Sequence, residues 1–221
     1  RWQWVFVDEY QDVDEQQYRK GLPTPTLGMI GLLEDVEKHV AIGFRADGDL
    51  IALAGETRDE LGGSEFLRVI RDRDEGPCPS LDLAAEKRLI DFLIASAEAS
   101  LLSSAHDVSD GGLAVALCES AFPRGLGARV ALDSAGVRPS AVLFGESTGR
   151  ALVSFPRGRA ETLRDRARAA GVPFAVVGTV SGGSIRVEVD GRKVVDAPLD
   201  PLRALWSTSF RSAVEKDPTV E

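Results

Sequence analysis

The 221-residue chain is poor in the residues that build metal sites, membrane spans and nucleic-acid interfaces. Its only two cysteines, Cys78 and Cys118, stand in no Cys-x-x-Cys or Cys/His spacing, so a zinc site is disfavoured and a reducing cytoplasm is expected. The sequence contains no apolar run of about 18 residues, which predicts no membrane span. Basic residues number 26 against 35 acidic ones, a net charge of −9. Because phosphate contacts need clustered lysine and arginine, this balance disfavours a nucleic-acid partner.

Two common catalytic motifs are also absent. The chain has no Gly-x-x-x-x-Gly-Lys-[Ser/Thr] phosphate loop and no Gly-x-Ser-x-Gly nucleophile turn. Its first four residues, Arg-Trp-Gln-Trp, do not begin a signal peptide and include no initiator methionine. We therefore expect the chain to be a fragment of a longer protein.

The local patterns predict an α+β fold. Residues 21–26 (Gly-Leu-Pro-Thr-Pro-Thr) break any helix and predict a boundary between a segment at 1–20 and a domain at 21–221. Hairpin turns are predicted at residues 46–48 and 190–191, and these favour a mixed or antiparallel sheet over a doubly wound one. Strands are predicted at residues 4–7, 27–33, 40–45, 49–55, 128–132, 151–155, 174–180, 185–189 and 193–195. Helices are predicted at residues 15–20, 64–70, 82–103, 113–121, 139–144 and 160–170 and from residue 200 onward.

Residues 104–117 concentrate the polar residues most suited to chemistry. The stretch indicates an extended segment that turns at Gly111 and Gly112 into an apolar helix. Ser109 or Asp110 is the expected N-cap of that helix. A helix start behind a glycine pair can bind an anion through its free N–H groups. The alternative, a turn whose polar residues only cap the helix, stays open.

His106 lies in the same stretch. With Asp107 and Asp110 it could form a general base oriented by a carboxylate. Side chains that neighbour each other in an extended segment rarely point the same way, so a structural histidine is the favoured interpretation.

Two further segments carry weaker signals. Gly63, Ser64 and Glu65 follow Gly62 at a second predicted helix start, which is either another anion site or a simple cap. Glu146 places a carboxylate at a glycine turn just before a predicted strand.

Taken in order, these segments resemble a known family. Residues 23–31 (Pro-Thr-Pro-Thr-Leu-Gly-Met-Ile-Gly), 62–66 (Gly-Gly-Ser-Glu-Phe), 104–113 (Ser-Ala-His-Asp-Val-Ser-Asp-Gly-Gly-Leu) and 143–147 (Leu-Phe-Gly-Glu-Ser) resemble the C-terminal domain of the synthetase subunit, PurL, of phosphoribosylformylglycinamidine synthases. The resemblance spans roughly residues 22–200. The segment Val180-Ser181-Gly182-Gly183 is similar to a hairpin near the end of that domain.

The resemblance implies a fold and a reaction. The fold would be a layered PurM-like C-terminal domain with a partly ferredoxin-like sheet. The reaction would be the ATP-dependent amidation of formylglycinamide ribonucleotide to formylglycinamidine ribonucleotide in purine biosynthesis, with Mg²⁺ at the phosphates and ammonia from a separate glutaminase. Neither Cys78 nor Cys118 fits the glutaminase nucleophile.

The same resemblance implies that the ATP, Mg²⁺ and catalytic-histidine residues lie mainly in N-terminal synthetase domains outside this chain. We therefore expect the isolated chain to be inactive, with no metal ligands in its main domain. The residues near the cleft and its phosphates are assigned to three of the four motifs, 62–66, 104–113 and 143–147. The candidates are His106, Asp107, Ser109, Asp110, Gly111, Gly112, Gly63, Ser64, Glu65 and Glu146.

Residues 2–19 resemble something else. Residues 5–12 (Val-Phe-Val-Asp-Glu-Tyr-Gln-Asp) are similar to the Walker B segment of UvrD-like helicases, in which the pair matching Asp8 and Glu9 binds Mg²⁺. This resemblance implies a chimeric chain joined near Lys20 and Gly21. Two other functions stay open: a non-catalytic binding or dimerisation domain, and a helicase fragment.

Overall fold

A computed structural model describes residues 5–7, 28–30 and 35–216, and it divides the chain into two compact units, Arg1–His39 and Val40–Glu221. In the first unit, strands β1 (Val5–Val7) and β2 (Gly28–Ile30) pair antiparallel. A short 3₁₀ helix, Val36–Lys38, follows. The helical turn predicted at residues 15–20 lies outside the described residues, and the boundary at residues 20 and 21 stays a prediction.

The second unit is built on a seven-stranded mixed sheet. Its strands run in the order β4-β6-β3-β7-β5-β8-β9, and β5 with β8 is the parallel pair among otherwise antiparallel neighbours. The α+β class with a mixed sheet is thus confirmed. The strands are β3 (Leu50–Ala54), β4 (Ser104–Asp107), β5 (Ala128–Leu132), β6 (Ala151–Phe155), β7 (Phe174–Val180), β8 (Ser184–Val189) and β9 (Arg192–Pro198).

Six α-helices accompany the sheet within the part of the chain that the structure describes. They are α1 (Glu65–Arg71), α2 (Leu83–Glu98), α3 (Gly112–Ala121), α4 (Pro139–Phe144), α5 (Ala160–Ala170) and α6 (Leu199–Lys216). None of these helices combines the length and the apolar character needed to cross a bilayer.

Helices cover both faces of the sheet, which explains why strand β3 is apolar throughout. All five residues of β3 are buried, and successive side chains of a strand point to opposite faces. Leu50 and Ala52 pack with Leu89 and Phe92 of α2 and with α5. Ile51 packs on the other face, in the core that α3 and α4 supply. The domain therefore has three layers.

The strand predicted at residues 40–45 is wrong, and so is the hairpin that it would form with β3. The neighbours of β3 are β6 and β7. Phe44 is fully buried, and its N–H donates to the carbonyl of Ser120 at the end of α3. Gly43 lies against Pro123, to which an added Cβ would approach within 3.0 Å. The apolar residues of this segment reflect anchoring against α3 and the residues just after it, not strand pairing.

Two other local predictions also need correction. The segment Val180–Gly183 does not close a hairpin, because β5 lies between β7 and β8, and Ser181 and Gly182 bond to Gly127 instead. The helix predicted to end at residue 103 ends at Glu98, and Ser100 adopts a positive φ of 52°. The hairpin at residues 190–191 is confirmed by the antiparallel pairing of Val189 with Arg192.

The half-buried Cys118 on α3 should make the stability of the fold depend on pH. Burial, together with the charge of Glu119, raises the pKa of the Cys118 thiol from 9.0 to about 11. The unfolded chain therefore loses this proton first, and the free energy of unfolding should fall by about 2 kcal/mol as the pH rises from 9 to 11. Denaturant melts of the wild type and of Cys118→Ala at both pH values measure the difference. Cys78→Ala, at an exposed thiol, is the control and should leave the fall in the free energy of unfolding between pH 9 and pH 11 unchanged.

Candidate functional site

Three of the segments singled out in the sequence meet at one end of the seven-stranded sheet. The end of β4 pairs with the start of β6 through Asp107 and Ala151, so the turn into α3 and the turn out of α4 lie side by side. The start of α1 joins them through the side chain of Glu146. We call this meeting point the three-turn site: residues 62–65, 107–112 and 145–147.

Glu146 holds the three-turn site together. Its Oε1 accepts a hydrogen bond from the N–H of Glu65 at 2.9 Å and another from the N–H of Gly111 at 2.8 Å. Both donors are N–H groups at helix starts that have no partner within their own helix, and the helix dipole there favours a negative charge. The two stretches predicted as separate anion sites therefore share one anion, and it belongs to this chain.

The predicted N-cap of α3 is wrong. Gly111 is the N-cap, and no side chain caps the helix. Gly111 and Gly112 both adopt the left-handed conformation, with φ of 77° and 68°, so the turn ends beyond Ser109 and Asp110. The side chains of these two residues remain exposed, while the Ser109 carbonyl accepts the N–H of Gly112.

Gly112 also allows a close contact between the two turns. A Cβ at this position would lie 2.6 Å from the carbonyl oxygen of Gly145 and 2.8 Å from the Cα of Phe144. The backbone of α3 thus packs directly on the end of α4, which brings Glu146 within reach of Gly111.

The start of α1 follows its prediction. Ser64 is the N-cap: its Oγ accepts from the N–H of Leu67 and donates to the carbonyl of Leu61 at 2.6 Å. Gly63 takes a φ of 65° and donates its N–H to the carbonyl of Glu75. The carboxylate of Glu65 pairs with Arg68, which holds its pKa below the ordinary value. Glu65 therefore contributes its N–H to the three-turn site, and not its charge.

His106 lies at the edge of the three-turn site, where its ring contacts Asp107 and, outside the site, Glu119. Its Nδ1 lies 3.1 Å from Asp107 Oδ1 and its Nε2 lies 3.1 Å from Glu119 Oε2, with the side chain only 10% exposed. Both ring nitrogens are thereby engaged, which supports the structural interpretation. Partial burial acts to raise the pKa of Asp107, but hydrogen bonds with Ser109 and His106 outweigh it and the pKa lies below its usual value. Glu119 was not predicted, because only the tertiary packing of α3 on β4 brings it to the ring.

Arg150 is the residue that the sequence reasoning missed. It is 3% exposed, and its guanidinium donates to the carbonyls of Gly145 and Ser147 at 2.5 and 3.1 Å and to Thr57 Oγ1 at 3.3 Å. Burial lowers the pKa of Arg150 to about 10. A usable signal was present: Arg150 directly precedes a strand in which four of five residues are apolar, and an arginine at that position has to be buried or displaced from the strand.

A groove of about 150 Å³ lies beside the three-turn site. Its lining includes Gly55, Arg58, Asp82, Glu86, Arg88 and Gly149, and none of the ten residues proposed from the sequence for the cleft wall. Across residues 35–216, no three His, Cys, Asp or Glu side chains are grouped so as to hold a metal ion.

Comparisons with known proteins place this geometry in context. The family described as AIR synthase related protein, C-terminal domain, matches residues 46–190. That range contains all three turns and the whole sheet from β3 to β8.

Curated relatives match over most of this chain but only over part of their own length. The PurL subunit of phosphoribosylformylglycinamidine synthase from Moorella thermoacetica is 43% identical over 188 residues, which is 85% of this chain and 26% of that protein. The corresponding subunit from Alkaliphilus metalliredigens is 38% identical over 193 residues, 87% of this chain and 26% of that protein. The chain thus spans about a quarter of these relatives.

Solved structures share the fold. Thermotoga maritima PurL complexed with FGAR superposes with a TM-score of 0.68 at 24% identity, over 80% of this chain and 31% of that one. The same protein complexed with ATP gives a TM-score of 0.63 at 23% identity, over 80% of this chain and 28% of that one.

Proposed function

The chain belongs to the family of AIR synthase related proteins, C-terminal domain, and from this we propose that it is the C-terminal domain of a PurL-type synthetase subunit. The reaction proposed for the complete subunit is the ATP-dependent conversion of formylglycinamide ribonucleotide to formylglycinamidine ribonucleotide. ATP transfers a phosphoryl group to the amide oxygen. Ammonia then attacks the amide carbon, and that oxygen leaves as part of phosphate.

The observation that carries the proposal is the convergence of the three turns on Glu146. These segments are 81 and 35 residues from Glu146 in the sequence, yet one carboxylate oxygen contacts both. A family motif set that folds into one place supports a shared role in a cleft wall. We assign that wall to Asp107, Ser109, Asp110, Gly111 and Gly112.

Residues 35–216 show no grouping of side chains suited to Mg²⁺. The described part of the domain offers no suitable group of three ligands, and the N–H groups of Glu65 and Gly111 already bond to Glu146. We therefore assign no metal or nucleotide ligand to this domain, and we place the binding of ATP and Mg²⁺ in the N-terminal synthetase domains of the complete subunit.

The proposal includes partners and a compartment. The N-terminal synthetase domains and a glutaminase subunit are the expected partners, and the cytoplasm is the expected location. Leu205 and Trp206 of α6 are 69% and 56% exposed, so apolar surface is available for association. Surface of this kind would also suit a binding or dimerisation domain.

A chimeric subunit tests the function. Residues 40–221 would replace the matching C-terminal part of Moorella thermoacetica PurL, and ammonia would serve as the nitrogen source so that no glutaminase is needed. We expect ribonucleotide-dependent ADP formation by the chimera and none by the 221-residue chain alone. A folded chimera without activity would overturn the proposal, and turnover by the chain alone would contradict the assignment of the chemistry to other domains.

We also propose that residues 2–19 are foreign to this family and were joined to it near Lys20 and Gly21. The resemblance of Asp8 and Glu9 to a helicase Walker B pair supports this, and the described strand Val5–Val7 is the element expected before such a pair. Resequencing the gene upstream of the Gly21 codon tests the proposal. The resemblance to the PurL family implies a Gly-Asn-Val-Ser segment just upstream of the Pro-Thr-Pro motif at residues 23–25. We expect to find it in another reading frame, and its absence from every frame would count against the junction.

A further inference from the structure

The buried guanidinium of Arg150 donates hydrogen bonds to the backbone on both sides of Glu146. Its Nη2 donates to the carbonyl of Gly145, the residue before Glu146, at 2.5 Å. Its Nε donates to the carbonyl of Ser147, the residue after Glu146, at 3.1 Å. The third contact, from Nη1 to Thr57 Oγ1 at 3.3 Å, anchors the group to the loop that follows β3.

This arrangement requires an arginine. The planar guanidinium presents donors in a fixed fork, so one side chain can hold two carbonyls at a set separation. A lysine ammonium could keep the charge, but it is a single point that cannot reproduce the fork. Gly145 itself is closely packed, because an added Cβ would come within 2.5 Å of the Ala141 carbonyl oxygen and 2.9 Å of the Glu60 carbonyl oxygen.

The charge of Arg150 is buried without a direct ion pair. Among the described residues, no carboxylate forms a salt bridge with it, and its contacts are two carbonyls and a hydroxyl. Glu60 and Glu146 offset the charge at longer range, and Arg58 opposes them. Burying a charge in this way is costly. A residue that only filled space could be apolar, so the cost points to a requirement for directed donors.

We propose that Arg150 is a positioning residue that acts through Glu146: it fixes the turn from which the Glu146 carboxylate reaches the N–H groups of Glu65 and Gly111. Without the guanidinium of Arg150, the Glu146 carboxylate is still present, but its turn is no longer fixed. The carboxylate can then move away from the two helix starts. This inference rests on the proposed function in one respect: the two helix starts are taken to form part of the cleft wall.

Amide hydrogen exchange on the 221-residue chain tests this proposal. In Arg150→Lys, the Glu65 and Gly111 amides should exchange about tenfold to a hundredfold faster, because they lose charge-assisted bonds. The amides of β3 should keep their protection. Glu146→Ala should give the same local pattern, and the double variant should exchange no faster at these two amides than the faster single variant.

Arg138→Lys is the matched control. Arg138 is an exposed arginine beside α4, paired with Asp59 at 2.8 Å, and its replacement should change neither amide. If Arg150→Lys accelerates all amides together, or leaves Glu65 and Gly111 protected, or adds its full effect to that of Glu146→Ala, the proposal is overturned. These readouts need no catalysis, so inactivity of the chimeric subunit would not affect them.

Discussion

Gly112→Ala should lower the free energy of unfolding by about 3 kcal/mol or more, one of the two largest effects that we expect of a single substitution in the three-turn site. The new Cβ would lie 2.6 Å from the Gly145 carbonyl oxygen and 2.8 Å from the Cα of Phe144, and both of these are backbone atoms. The backbone at Phe144 and Gly145 cannot move away at low cost, because α4 and β6 fix the chain on either side of residues 145–150. Separating α3 from α4 would also break the bond between Glu146 and Gly111.

Gly125→Ala is the matched control for this substitution. Gly125 has nearly the same backbone angle, φ of 65° against 68° at Gly112, but nothing lies within 4 Å of the added Cβ. Its replacement should cost only the left-handed strain, about 1–2 kcal/mol. Denaturant melts followed by circular dichroism give both values. Equal losses for the two variants would show that the close approach of α3 to Gly145 does not stabilise the fold.

The sequence predicted well where local chemistry decides the structure. The Ser64 cap of α1, the Asp82 start of α2 and the hairpin at residues 190–191 all depend on contacts between near neighbours in the chain. In each case the residue type determines the conformation almost by itself. These elements were predicted within one or two residues.

The predictions failed where a distant group supplied the partner. Ser109 and Asp110 are good capping residues, but Glu146 satisfies the Gly111 N–H from 35 residues away, so no local cap is needed. Residues 40–45 alternate like a strand, yet a hydrogen bond to Ser120 and the burial of Phe44 fix them as a loop. Pattern alone cannot distinguish pairing with a strand from packing against a helix.

The candidate site was predicted as a set of residues but not as an arrangement. Gly111, Gly112, Glu65 and Glu146 were all named from the sequence, and the structure brings them together. The difference concerns the anion. The N–H groups at the two helix starts were expected to bind an external anion, but they donate to the carboxylate of Glu146 instead. Arg150, which holds the turn that carries Glu146, belongs to no motif, and its one signal in the sequence is its place directly before the apolar strand β6.

Glu146→Ala should lower the free energy of unfolding by about 2–4 kcal/mol, because one substitution leaves two helix-start N–H groups without their acceptor. Each bond to a charged group contributes roughly 1.5–3 kcal/mol, and the two share an oxygen, so the sum is not fully additive. Glu146→Gln keeps a carbonyl oxygen at Oε1 and should lose about half as much, since it removes the charge but not the acceptor.

The control for this prediction is Glu161→Ala on α5. Glu161 pairs with Arg164 through a side chain that is 82% exposed, so its loss should change the free energy of unfolding by less than about 0.5 kcal/mol. Urea melts at neutral pH compare the three variants with the wild type. If Glu146→Ala costs no more than Glu161→Ala, water replaces the carboxylate at both helix starts without loss, and the three turns are held together by backbone packing at Gly112 alone. If Glu146→Gln costs as much as Glu146→Ala, the prediction of half the loss is wrong, and the negative charge at the two helix starts, rather than the acceptor oxygen, stabilises the site.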